Sequence, residues 1–233
     1  EHSARFAADP LVLLQLLVPI VHTFFHSGDV AKAIALTEEA VGVALSLGLR
    51  SRACIAAARL TSMLIDLDDS ELAQRWSVRA VSYAPESLPP LEKCVLAIQA
   101  TELAVCAGDY AKARAELDRA RAFPMQTMHR VRAAFVTLDF LIDFGISPSM
   151  ITDDRCRDII SLYEHSKHME GLDILVTAAY HAVSILIDER AAGELVIRFV
   201  TETRNRRAPL SRHIRTLYAK AASSATDIAR ATG

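Results

Sequence analysis

The chain has 233 residues, 52% of them hydrophobic, with only 8 Gly and 8 Pro and a formal net charge of −2. That composition excludes a disordered or collagen-like chain, and abundant Ala and Leu with few turn-formers point to helices around a sizeable core. The slight acidity also counts against a dedicated nucleic-acid binder.

In chain order, the first predicted helix is PLVLLQLLVPIVHTFFH, residues 10–26. Its apolar run of 16 residues, interrupted by Gln15, Pro19 and His22, falls short of the roughly 20 that span a bilayer. It reads as a buried helix, kinked at Pro19 where a backbone N–H is missing. No positively charged stretch with a small-residue cleavage site precedes it, so no secretory leader is expected. The chain opens at Glu1 without Met, which reads as a piece cut from a longer protein.

Next come SGDVAKAIALTEEA (27–40), RACIAAARLTSMLIDL (52–67), DDSELAQRWSVRA (68–80), LEKCVLAIQATELAVCA (91–107) and AGDYAKARAELDRA (107–120). The shorter segments repeat one phrase. Asp29, Asp69 and Asp109 stand 40 residues apart, as do Ala33, Ala73 and Ala113, and again Ala40, Ala80 and Ala120. A fixed period of this length marks stacked units, each too small to fold unaided. Gly28 and Gly108 predict a positive φ that ends one helix, and the aspartates predict caps on the next. Alanines seven apart share a helix face and let two helices approach to roughly 8–10 Å between axes.

The helix HRVRAAFVTLDFLIDF (129–144) keeps the pattern, which is then lost in FGISPSMITDD (144–154). After LDILVTAAYHAVSILI (172–187) the period returns in weaker form at Asp188, Glu189, Ala191 and Ala192. A last helix is expected from Ser211 to Arg230. The expected fold is all-α, eleven helices in a single domain. Its units are approximately 10–49, 50–87, 88–124, 125–169 and 170–208, with a terminal helix over 209–230.

The string Gly108-Asp109-Tyr110-Ala111-Lys112-Ala113, with Leu117, Ala120 and Pro124, resembles the second half of a tetratricopeptide repeat. Residues 28–40 match it well, and 68–80 with Pro85 match moderately. The first half departs from the family: the early Trp is missing, Val21, Thr61 and Thr101 stand where a small residue is usual, and the period is 40 rather than 34. Lengthened repeats of this kind look like those attached to bacterial signalling and transcription regulators. The resemblance implies a right-handed superhelical solenoid of about five antiparallel helix pairs, with partners held on the concave face. It also implies a cytoplasmic regulatory module acting on a linked output domain.

Site chemistry is sparse. Cys54, Cys94, Cys106 and Cys156 form no CxxC pair and read as reduced core thiols. His22 with His26, and His165 with His168, have metal-compatible spacing but lack a third ligand, so no metal is expected. Asp68 with Asp69, and Asp153 with Asp154, read as turn and cap carboxylates. No phosphate loop, nucleophile elbow or metalloprotease signature occurs, so neither catalysis nor a cofactor is expected.

Carried over from the turns, the resemblance places Gln15, Val18, His22, Phe25 and His26 on the groove in the first unit. Ile55, Ala58, Ser62, Ile65 and Asp66 follow in the second, then Val95, Ile98, Glu102 and Val105, then Arg132, Phe135, Asp139 and Ile142. This mostly apolar lining suits an amphipathic helix or an extended peptide with hydrophobic anchors. A second reading is a small-molecule sensor closing around an organic ligand. A third is a polyanion-binding module at Arg204, Arg206, Arg207, Arg212 and Arg215, because residues 198–233 carry a charge of +6 and the rest −8. No aromatic residues interleave that basic cluster in the manner of a nucleic-acid surface, so a protein or peptide partner is favoured. Exposed ends of the stack would permit self-association.

Overall fold

The computed structural model describes residues 10–67, 69–125, 127–166, 173–205 and 214–223. Every regular element among them is helical. In order they are α1 (Pro10–His26), α2 (Val30–Ser46), α3 (Arg50–Asp66), α4 (Ser70–Tyr83), α5 (Pro90–Cys106), α6 (Tyr110–Arg121), α7 (His129–Ile146), α8 (Asp153–Ser166), α9 (Asp173–Leu186) and α10 (Glu189–Asn205). A 3-10 turn, Pro148–Met150, separates α7 from α8, and residues 214–223 form a further helix, α11. The helix through Pro19 is unbroken. Among the described residues no helix is long and apolar enough to cross a membrane.

The turns repeat because their chemistry does. Gly28, Gly48 and Gly108 have φ of 86°, 70° and 72°, a region where only glycine avoids a clash with its own Cβ. Gly108 N–H reaches the Val105 carbonyl at 3.0 Å and Asp109 N–H reaches Ala104 at 2.9 Å, and the same pair of bonds recurs at 28–29 and 48–49. This double closure satisfies carbonyls that the helix end would otherwise orphan. Asp109 then caps the next helix, accepting from the Lys112 N–H at 3.0 Å, as Asp29 does from Lys32 and Asp69 from Leu72. Asp188 repeats the cap at 2.6 Å from the Ala191 N–H. Asp29, Asp69 and Asp109 thus each close one helix through the backbone and open the next through the side chain.

Helices pack on their neighbours in sequence order, and α3 also packs on α5, α5 on α7, and α7 on α9. Ala33, Ala73, Ala80, Ala113 and Ala120 are fully buried at these contacts. The threonines at the departing positions are buried too. Thr61 and Thr101 return their hydroxyls to the Ala57 and Ala97 carbonyls at 3.0 and 2.9 Å, which removes the cost of an unpaired polar group. The core runs as three consecutive clusters, and Val105 and Ile174 touch both of the last two, so the apolar interior is continuous there. In α11, Ile214, Leu217 and Ala221 are buried, and Ile214 and Leu217 join the last cluster.

Two expectations change. Thr152, not Asp153 or Asp154, caps α8, its hydroxyl accepting from the Arg155 N–H at 3.4 Å. The two aspartates lie in the first turn and pair with Arg157, favoured there by the helix dipole. Cys106 is exposed at the end of α5, whereas Cys54, Cys94 and Cys156 are buried as expected. Asp68 lies outside the described residues.

Candidate functional site

The break in the repeat makes a site. After α7 the 3-10 turn carries the chain away, so α8 packs mainly on α9 and only lightly on α7. A cleft of about 380 Å³ opens where α6, α7 and α8 meet. Arg121 of α6 lines it, with Arg132, Phe135, Val136, Asp139 and Phe140 of α7 and Arg155, Asp158 and Ile159 of α8. Its floor is apolar and its polar lining is dominated by guanidiniums.

All but one of those guanidiniums are tied into a carboxylate cluster. Asp139 is bound by Arg114 and lies 3.3 Å from Arg121 and 3.6 Å from Arg155. Asp143 is bound by Arg114 and lies 2.5 Å from Arg155. Arg121 also lies 3.6 Å from the more exposed Asp118, so three cations meet three anions, and those around Asp139 and Asp143 are partly sheltered from solvent, where screening is weaker than on an open surface. Arg132, exposed at the cleft, makes no ion pair among the described residues.

The sequence-derived groove residues divide three ways. Arg132, Phe135 and Asp139 meet in the cleft. Phe25 and Ile98 are buried in the core, as is Phe135 beneath the cleft. Ser62 and Ile65 are half-buried, and the Ser62 hydroxyl accepts from Gln99 Nε2 at 2.7 Å. The same Gln99 nitrogen donates to the Ala58 carbonyl at 2.7 Å, tying α3 to α5. Glu102 keeps part of its surface open, yet its carboxyl end is desolvated enough that burial pushes it up to about 7. The side chains of Gln15, Val18, His22, His26 and Asp66 lie outside the described residues.

Of the basic cluster, Arg215 is exposed on α11, and Arg204 (side chain), Arg206, Arg207 and Arg212 lie outside the described residues. Two other cations of that region are engaged internally: Arg198 with Glu164 at 3.0 Å, and Lys220 with Glu189 at 3.0 Å.

Among the described residues no three His, Cys, Asp or Glu side chains group as a metal site. His165 Nδ1 instead donates to the Ser161 carbonyl at 2.7 Å, and His168 lies outside the described residues. Burial raises the Cys54, Cys94 and Cys156 thiols, which disfavours the nucleophilic thiolate.

Arg121, Arg155, Asp158, Val136, Phe140 and Ile159 were not singled out in the sequence. The only sequence signal for the α8 wall is the spacing of Arg155, Asp158 and Ile159, which places them on adjoining turns of one helix face. Compared with protein-family models, curated proteins and solved structures, the chain matches none.

Proposed function

We propose that this chain is a non-catalytic helical-repeat module, a right-handed superhelical stack of tetratricopeptide type, that recognises a protein or peptide partner and regulates a linked output domain in the cytoplasm. The observation that carries this reading is the side-by-side packing of α3, α5, α7 and α9. Gln99 ties two of these helices together, and Ile55, Val95 and Glu102 remain at least partly open on them. Such a face offers apolar anchoring positions beside a titratable carboxyl, which suits a helix or an extended segment. Because each unit touches mainly its neighbours, a bound segment would favour one curvature of the stack and pass that preference to whatever the stack is joined to.

The test is selection from a random displayed-peptide library on the full chain and on an Ile55→Asp, Val95→Asp double variant. Both positions are open enough for the variant to keep its helical circular dichroism. Enrichment of peptides with bulky apolar residues on the parent, lost on the variant, supports the reading. Equal enrichment on both, or none on either, overturns it.

A further inference from the structure

The cleft between α6, α7 and α8 has a chemistry distinct from that of the α3–α5 face. We propose that it binds a small amphipathic organic acid, its anionic head at Arg132 and its hydrocarbon body on the floor formed by Phe135, Val136, Phe140 and Ile159.

Size comes first. At about 380 Å³ the cleft lies near the lower end of the roughly 300–1,000 Å³ typical of small-ligand sites, enough for one compact molecule. Sign comes second. Of the residues that line the cleft, Arg121, Arg132 and Arg155 stand against Asp139 and Asp158, a surplus of one positive charge, while Arg114, Asp118 and Asp143 behind them balance the wider cluster, so the positive end of the cleft is Arg132 itself. Asp139 and Asp143 are already shared among three guanidiniums, so neither can neutralise Arg132, which has no ion pair of its own among the described residues. A cation in that position gains most from an anion supplied by the ligand.

The floor comes third. Val136 is 37% exposed between the buried Phe135 and Phe140 of the same helix, a patch of apolar surface that a hydrocarbon would cover. The two features adjoin, because Arg132 and Val136 are four residues apart on α7 and therefore share a face. A ligand carrying only charge would leave Val136 wet, and one carrying only hydrocarbon would leave Arg132 unpaired. The arrangement selects a molecule with both.

The experiment uses the full chain with octanoate, octanol and inorganic phosphate as probes, read by methyl NMR at Val136 and Ile159. Octanoate is expected to shift both methyl sets and to bind about ten-fold tighter than octanol, a ratio equivalent to one ion pair of about 1.4 kcal/mol. Arg132→Gln should remove that ratio, Val136→Trp should abolish the Ile159 shift by filling the cleft, and Asp158→Asn should tighten octanoate. These positions are at the surface of the cleft, so their variants test the site rather than the fold. Equal binding of octanoate and octanol, shifts confined to other methyls, or displacement of octanoate by an equal concentration of phosphate would each overturn the proposal. These outcomes are independent of the peptide selection, which probes α3 and α5.

Discussion

The ring of Tyr110, the first residue of α6, occupies the space that a Cβ on Gly145 would need near the end of α7. Gly145 is therefore held by packing rather than by backbone conformation. Gly145→Ala should cost about 1–3 kcal/mol despite the better helix propensity of alanine, because the rigid ring must rotate away. Urea denaturation of Gly145→Ala, Tyr110→Ser and the double variant should show a coupling of at least about 1 kcal/mol. Additive single effects would mean that the ring yields freely.

The repeated caps predict repeated energetics. Asp29→Ala, Asp69→Ala and Asp109→Ala should each destabilise by about 1 kcal/mol, and the corresponding Asn variants by much less, because asparagine also accepts from the third N–H of the helix. Thermal denaturation of the three pairs checks this. A full alanine-sized loss in the Asn variants would assign the effect to charge at the helix terminus instead.

Glu102 predicts a pH dependence with a definite sign. Its folded pKa, pushed up to about 7 by burial, lies above its ordinary 4.5, so the folded state binds the proton more tightly than the unfolded state between those values. Stability should therefore fall as pH rises from about 4.5 to about 7 and level off above. Glu102→Gln should be nearly neutral at pH 4.5 and stabilising by about 2 kcal/mol at pH 8, a figure reduced for the part exposure of the residue. A variant equally stable relative to the parent at both pH values would show that the carboxylate stays solvated.

The arginine cluster predicts a salt dependence. Asp139→Asn leaves Arg114, Arg121 and Arg155 short of one shared anion and should cost about 1–2 kcal/mol in dilute buffer. In 1 M salt the loss should shrink only in part, because these partly sheltered pairs are screened less than exposed ones. Denaturation at the two ionic strengths measures it. An unchanged loss would identify hydrogen-bond geometry, not charge, as the source.

By itself the sequence determined the turns at Gly28 and Gly108, the caps at Asp29, Asp69 and Asp109, and the alanine contacts. These depend on residues within a few positions of one another: a glycine that must take a positive φ, an aspartate whose oxygen reaches the N–H three residues on, and alanines seven apart on one face. Such interactions are set locally, so a repeat of 40 residues exposes them without reference to the rest of the chain. The sequence also brought Arg132, Phe135 and Asp139 forward as a group. What it could not determine was which of them is buried, because each residue along a helix turns its side chain by about 100°, and the rotation of α7 is fixed by the helices on either side. Only the tertiary structure set Arg155 against Asp143, moved α8 from α7 onto α9, and placed Ile98 and Phe25 in the core. The cleft exists because the unit between 144 and 154 falls out of register, and an out-of-register unit has no repeat from which its packing could be read.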